Sequence, residues 1–123
     1  MKKQYKVITY QDSAGNDEIK TYIYDLAQKQ NSKDSRVKLN KIMEYIGKLA
    51  TYGVTIGKPA IDKITGTDLW ELRPFRDRIF FAYWKNDIFI LLHHFVKKTQ
   101  KTPPHEIEQA QRNLTDFLER NKD

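Results

Sequence analysis

Leu91–Arg112, LLHHFVKKTQKTPPHEIEQAQR, passes from an apolar strand through a cationic turn into a helix opened by proline. The apolar run that enters it, Ile88 to Leu92, is the pattern of a strand covered on both faces, which places it inside a sheet. Lys97, Lys98 and Lys101 follow at the strand exit. Thr102 then offers a side-chain oxygen to the first turn of a helix begun by Pro103 and Pro104, where a missing N–H costs nothing. Ile107, Ala110, Leu114, Phe117 and Leu118 recur at three- and four-residue spacing, so one stripe of this helix packs inward. The lysines are thereby held between two rigid elements.

Working back from that stretch, three strands are predicted: Leu69 to Arg73, Arg78 to Trp84 and Ile88 to Phe95. In the first, Trp70 and Leu72 alternate with Glu71 and Arg73, which implies one buried face and one wet face. The other two are apolar or aromatic on both faces, and Trp70 and Trp84 read as core. Gly57 to Thr67, with its Gly, Pro and Thr, reads as a linker. A helix starting near Asp34 or Ser35 puts Leu39, Ile42, Met43, Ile46, Leu49 and Ala50 on one face and ends at Gly53. An earlier helix from Asp17 carries Ile19, Tyr22, Ile23, Leu26 and Ala27, with acids in its first turn, and Asn31 to Ser35 breaks it. Val7 to Tyr10 reads as an edge strand ended by the turn segment Asp12 to Asn16. The sum is a single α+β domain over residues 1–123, a helical hairpin covering one face of a sheet.

Hydrophobic residues make up 39% of the chain and aromatics 12%, too many for a disordered segment. With no Cys, disulfides, thiolate nucleophiles and thiolate metal sites are excluded together. No apolar run approaches a membrane span, and the N-terminus lacks the apolar region of a signal peptide, so a cytoplasmic protein is expected. Of the net charge of +6, Arg73 to Lys101 contributes seven cations against two anions, that is +5. Charge concentrated in this way marks a surface for a polyanion, and nucleic acid is the commonest one.

Strand pairing explains where that charge meets. A tight turn over Pro74 to Asp77 puts Arg73 opposite Arg78, and a turn at Lys85 to Asp87 puts Arg78 opposite His94 or Phe95. One rim of the sheet then collects Arg73, Arg76, Arg78, His93 or His94, Lys97, Lys98 and Lys101, with a one-residue register deciding which of them share a face.

The series LWELRP (Leu69 to Pro74), RIFFAYW (Arg78 to Trp84) and LLHHFVKKTQKTP (Leu91 to Pro103), with a helix beginning EIEQA (Glu106 to Ala110), resembles the phage-type, HigB-like branch of the RelE/ParE toxin superfamily. The resemblance implies a RelE-like fold: a twisted, mainly antiparallel sheet with two N-terminal helices and a C-terminal helix packed on it. It implies the toxin of a type II toxin–antitoxin pair, a ribosome-dependent mRNA endonuclease that needs no metal and no cofactor. The partners it implies are mRNA, the ribosome and a cognate antitoxin, often of helix-turn-helix type and encoded next to the toxin, and a toxin–antitoxin heterotetramer is one assembly it allows. Carried over by position, Arg73 matches the arginine of the ELR motif, Arg78 the arginine opening the central strand, and His93 the strand-end histidine. Lys97, Lys98 and Lys101 match the basic exit, and Lys63 loosely matches a basic position ahead of LWELR. His94 departs from the pattern, which commonly has Gly after the histidine.

Metal-independent RNA cleavage needs a base for the 2′-hydroxyl, cations for the phosphorane charge and an acid for the leaving 5′-oxygen. Arg73 and Arg78 suit the second task, Lys97 and Lys98 compete with His93 for acid and base, and Lys63, Arg76, His94 and Lys101 are candidate RNA contacts. Tyr83 or Phe81 would stack on a base, although their alternation fits core better. No His or acidic cluster has metal-ligand spacing. The plainer alternatives are a solvated lysine turn guarding a sheet edge and surface ion pairs of Arg73 and Arg78 with Glu71 or Asp77. Two further functions compete: a ParE-like toxin acting on a protein target such as DNA gyrase, and an RNA-binding domain that does not cleave.

Overall fold

The structure, a computed structural model, describes residues 4–29 and 31–122. The elements run β1 (Lys6–Thr9), α1 (Glu18–Gln28), α2 (Lys33–Tyr52), a short 3-10 turn (Gly53–Ile56), β2 (Ile61–Lys63), β3 (Trp70–Leu72), β4 (Asp77–Tyr83), β5 (Ile88–Val96) and α3 (Pro104–Arg120). The five strands form one open sheet in the order β1-β5-β4-β3-β2. Only β1 against β5 is parallel; the other three pairings are antiparallel. This is the α+β, RelE-like arrangement that the sequence resemblance implied.

The local signals act as expected at most element ends. Asp17 and Ser32 cap α1 and α2 by accepting the N–H groups of Lys20 and Ser35, at 3.0 and 3.2 Å, which removes orphan donors. Gly53 ends α2 with φ 64°, in the left-handed region. A Cβ there would lie 2.9 Å from the Tyr5 ring, so only glycine fits. Asn86 and Asp87, at φ 53° and 60°, make the tight β4–β5 turn and set its register.

The sheet separates two cores. On one side α1 and α2 cover Ile61, Leu72, Ile79, Phe81, Phe89 and Leu91 with Ile19, Leu26, Ile42 and Leu49. On the other, Ala110 and Phe117 of α3 cover Leu69, Phe80, Ala82, Ile90, Leu92 and Phe95. β5 thus has helices on both faces and strands on both edges over its first half, as its continuous apolar run requires.

Several expectations need correction. The segment read as a linker contains β2, an edge strand that pairs Ile61, Asp62 and Lys63 with Leu72, Glu71 and Trp70. Three residues are too short a run for periodicity to show. Met43 and Leu118, placed on inward stripes, are exposed, and Asn113 takes an inward position on α3. Thr102 does not cap α3: Pro103 occupies the N-cap, and the Thr102 hydroxyl donates instead to Glu71 Oε2 at 2.9 Å. Glu71 is wholly buried, so β3 has no wet face.

Candidate functional site

The β3–β4 register places Leu72 against Ile79, and therefore Arg73 beside Arg78, while Arg78 pairs with Phe95. One sheet rim thus gathers the end of β3, the start of β4 and the end of β5, as the hairpin argument required. A β-bulge decides the face. Phe81 pairs with Leu91 but Phe80 pairs with His93, leaving Leu92 as the extra residue. Without the bulge His94 would follow Ile90 and Leu92 onto the α3 side. With it, His93 takes that side, parallel to the Phe80 ring at 6.2 Å, and His94 turns to the α1 side.

The cations divide accordingly. Arg76, Arg78, Lys97 and Lys98 line one depression of about 440 Å³ together with Thr99 and Gln100. The Lys97 N–H donates to the Arg76 carbonyl at 2.8 Å, so these two residues are locked side by side through backbone. Arg78 is fixed by donating from Nη1 to the carbonyls of Phe75 and Asp77, at 2.6 and 2.9 Å. Its Nε is buried with no hydrogen-bond partner, 4.0 Å from Glu71 Oε1. Burial pulls the Arg78 guanidinium below its ordinary value; Glu71 opposes this and Arg73 adds to it.

Behind the depression lies the group that sequence reading missed. Glu71 accepts from Arg73 Nε at 2.9 Å and from Thr102 Oγ1 at 2.9 Å. Arg73 also donates from Nη2 to Asp62 Oδ2 at 3.4 Å. Arg73 is therefore bonded to two carboxylates and is not among the residues lining the depression. Its pairing with Glu71 is a buried ion pair and not the surface one considered above. The available signal was the odd placement of Glu71 between Trp70 and Leu72, in a strand followed along the chain by two apolar ones.

His93 is also committed. Nδ1 lies 2.8 Å from Glu18 Oε1 and Nε2 lies 2.7 Å from Glu106 Oε1, so both ring nitrogens face carboxylates. Burial acts to lower its pKa, but the two acids outweigh burial and raise it above the ordinary 6.5, favouring imidazolium. Glu18 also accepts the His94 N–H at 3.2 Å, filling the edge of β5 beyond the end of β1. A histidine held this way tethers the starts of α1 and α3 to β5.

His94 leaves the site altogether. Its ring stacks on Tyr22 at 3.8 Å, and Nε2 lies 2.9 Å from Asp77 Oδ1, to which the Tyr22 hydroxyl donates at 2.7 Å. Burial would raise the Asp77 carboxyl, yet the bonds from His94 and Tyr22 hold it below its ordinary value. Lys63 is at the far end of β3, its ammonium over Trp70 and bonded to the Thr67 carbonyl, so it is no part of the rim. Lys101 is exposed in the loop before α3, outside the residues lining the depression. Phe81 is core, and Tyr83, although exposed, sits at the opposite end of β4. Among the described residues, no group of three or more His, Asp or Glu is arranged to hold a metal, and no helix is long and apolar enough to cross a membrane.

An open mixed sheet with helices on both faces and four cations converging at one rim defines a small α+β domain with a cationic depression. The chain belongs to the family of phage-derived Gp49-like proteins (DUF891), whose family model matches residues 29–115, from the end of α1 into α3. That family is associated with RelE-like, toxin-related proteins. No curated protein matches the sequence.

Proposed function

We propose that this protein is a HigB-like toxin of a type II toxin–antitoxin pair that cleaves mRNA on the ribosome without a metal. The observation that carries this reading is the depression lined by Arg76, Arg78, Lys97 and Lys98, whose backbone is fixed before any ligand arrives. Fixed cations aimed at a phosphate gain most where charge develops, in the phosphorane-like transition state. In the reaction the 2′-oxygen attacks the adjacent phosphorus and the P–O5′ bond breaks, leaving a 2′,3′-cyclic phosphate and a 5′-hydroxyl. One proton leaves the 2′-hydroxyl and one reaches the 5′-oxygen. Arg78 and Arg76 stabilise the phosphoryl oxygens; Arg73 and Glu71 position them from behind; Lys97 and Lys98 handle the protons. His93 has no part in this scheme, because Glu18 and Glu106 occupy both of its nitrogens. Neutralisation falls to a cognate antitoxin, for which the same cationic rim is a natural target for acidic side chains.

The test is primer extension on mRNA in a cell-free translation reaction, with and without ribosomes, comparing wild type with Arg78→Ala and Lys98→Ala. New 5′ ends that depend on translation and fade in both variants support the reading. Intact message together with arrested growth on expression would overturn it and direct attention to a protein target such as DNA gyrase.

A further inference from the structure

Phe75 stands out in the turn joining β3 to β4. It is 55% exposed, and its φ of 57° lies in the left-handed region, where a bulky L-residue is seldom found. The turn spans Pro74 to Asp77, closed by the Asp77 N–H donating to the Pro74 carbonyl at 3.1 Å. Glycine or asparagine would meet that backbone at less cost and would present no ring. Strain of this kind persists only where the surroundings enforce it, and it gathers at functional sites. Here the enforcement is visible: the Phe75 carbonyl is one of the two that grip Arg78. On one side the ring meets Lys41 Nζ at 5.1 Å from its centroid. Beside it opens a second depression, of about 320 Å³, lined among others by Val37, Val96 and Arg76. Arg76 also lines the cationic depression, so the two share this residue.

We infer that Phe75 and this adjoining depression form the stacking platform for a nucleobase of single-stranded RNA, next to the phosphate held by Arg76, Arg78, Lys97 and Lys98. The inference rests on the nuclease reading and deepens it. An exposed ring beside a fixed row of cations is what single-stranded RNA binds, base on the aromatic face and phosphate on the cations. Stacking is indifferent to base identity, so the platform sets position along the strand and not sequence. The aromatics expected from the sequence, Phe81 and Tyr83, cannot do this, being buried or at the wrong end of the sheet.

The experiment compares wild type, Phe75→Leu and Phe75→Trp by primer extension in a translating reaction. A parallel arm photo-crosslinks a single-stranded RNA carrying 5-iodouridine and maps the adduct by mass spectrometry. Phe75→Leu keeps the apolar bulk and loses the π face; cleavage is expected to fall roughly 5- to 150-fold, the range of one lost base stack, while Phe75→Trp, which keeps a π face, retains more cleavage than Phe75→Leu. The adduct is expected on Phe75. Phe75→Leu cleaving at the wild-type rate, or an adduct elsewhere with none on Phe75, overturns the platform while leaving the nuclease reading intact. Phe75→Leu that cleaves normally but escapes its antitoxin assigns the ring to a protein partner and also overturns it. Wild type that neither cleaves nor crosslinks removes the nuclease reading itself, and the platform with it.

Discussion

Replacing Glu71 tests whether the cationic rim depends on a single buried carboxylate. Glu71 is 0% exposed and takes hydrogen bonds from Arg73 and Thr102, each at 2.9 Å, with Arg78 Nε at 4.0 Å. In Glu71→Ala, Arg73 retains only its 3.4 Å bond to Asp62, and Arg78 faces Arg73 with no anion between them. Breaking a buried pair by removing one partner costs about 3–5 kcal/mol, because the remaining charge is left uncompensated. Arg73 is 27% exposed and recovers some hydration, so the lower end, about 3 kcal/mol, applies. For a domain of this size that lowers Tm by on the order of 10 °C. Glu71→Gln keeps the shape and the Thr102 contact and is expected to fall between the two. The assay is thermal unfolding followed by circular dichroism, completed as a double-mutant cycle with Arg73→Ala. A Glu71→Ala protein melting within about 2 °C of wild type, or additive behaviour in the cycle, would refute the argument.

Two further outcomes follow from the geometry. Because Glu18 and Glu106 raise the His93 pKa in the folded state, the folded protein binds the extra proton more tightly than the unfolded chain does. That contribution is fully present below about pH 6.5 and is lost as pH rises through the raised folded value; melts across the range should show this slope, and His93→Gln should flatten it. Asn113→Leu removes the donor that reaches the Leu92 carbonyl at 2.8 Å; a buried carbonyl left without a partner should lower stability by about 1–3 kcal/mol in urea titration, whereas no loss would mean that water replaces the amide.

The fold was largely legible because its long elements carry strong periodicity and clear stops, such as the acids opening α1, Gly53 closing α2 and the prolines opening α3. β2 escaped because three residues amid Gly, Pro and Thr leave no period to read. The site was half legible. Arg78, Lys97 and Lys98 are placed by strand length and hairpin closure, which local sequence determines. Glu71 was misjudged because alternation assigns polar residues to water, and that rule fails where a third layer, here α3 and the loop before it, covers the second face. The commitment of Arg73 to Asp62, and of His93 to Glu18 and Glu106, comes from contacts between residues far apart in the chain, which no local pattern records.

The extra residue at Leu92 has a consequence for comparing or engineering this domain. It works as a phase slip: from His93 onward, odd and even positions exchange the sheet faces they would otherwise occupy. Deleting Leu92 alone would remove the slip and leave His93, His94 and Phe95 on the faces they now hold; pairing all the residues without the slip is what would move His94 to the side of Arg78 and send His93 toward Tyr22. An alignment or a grafted strand that ignores the slip transposes every assignment downstream, including which of two adjacent histidines the molecule holds between its acids.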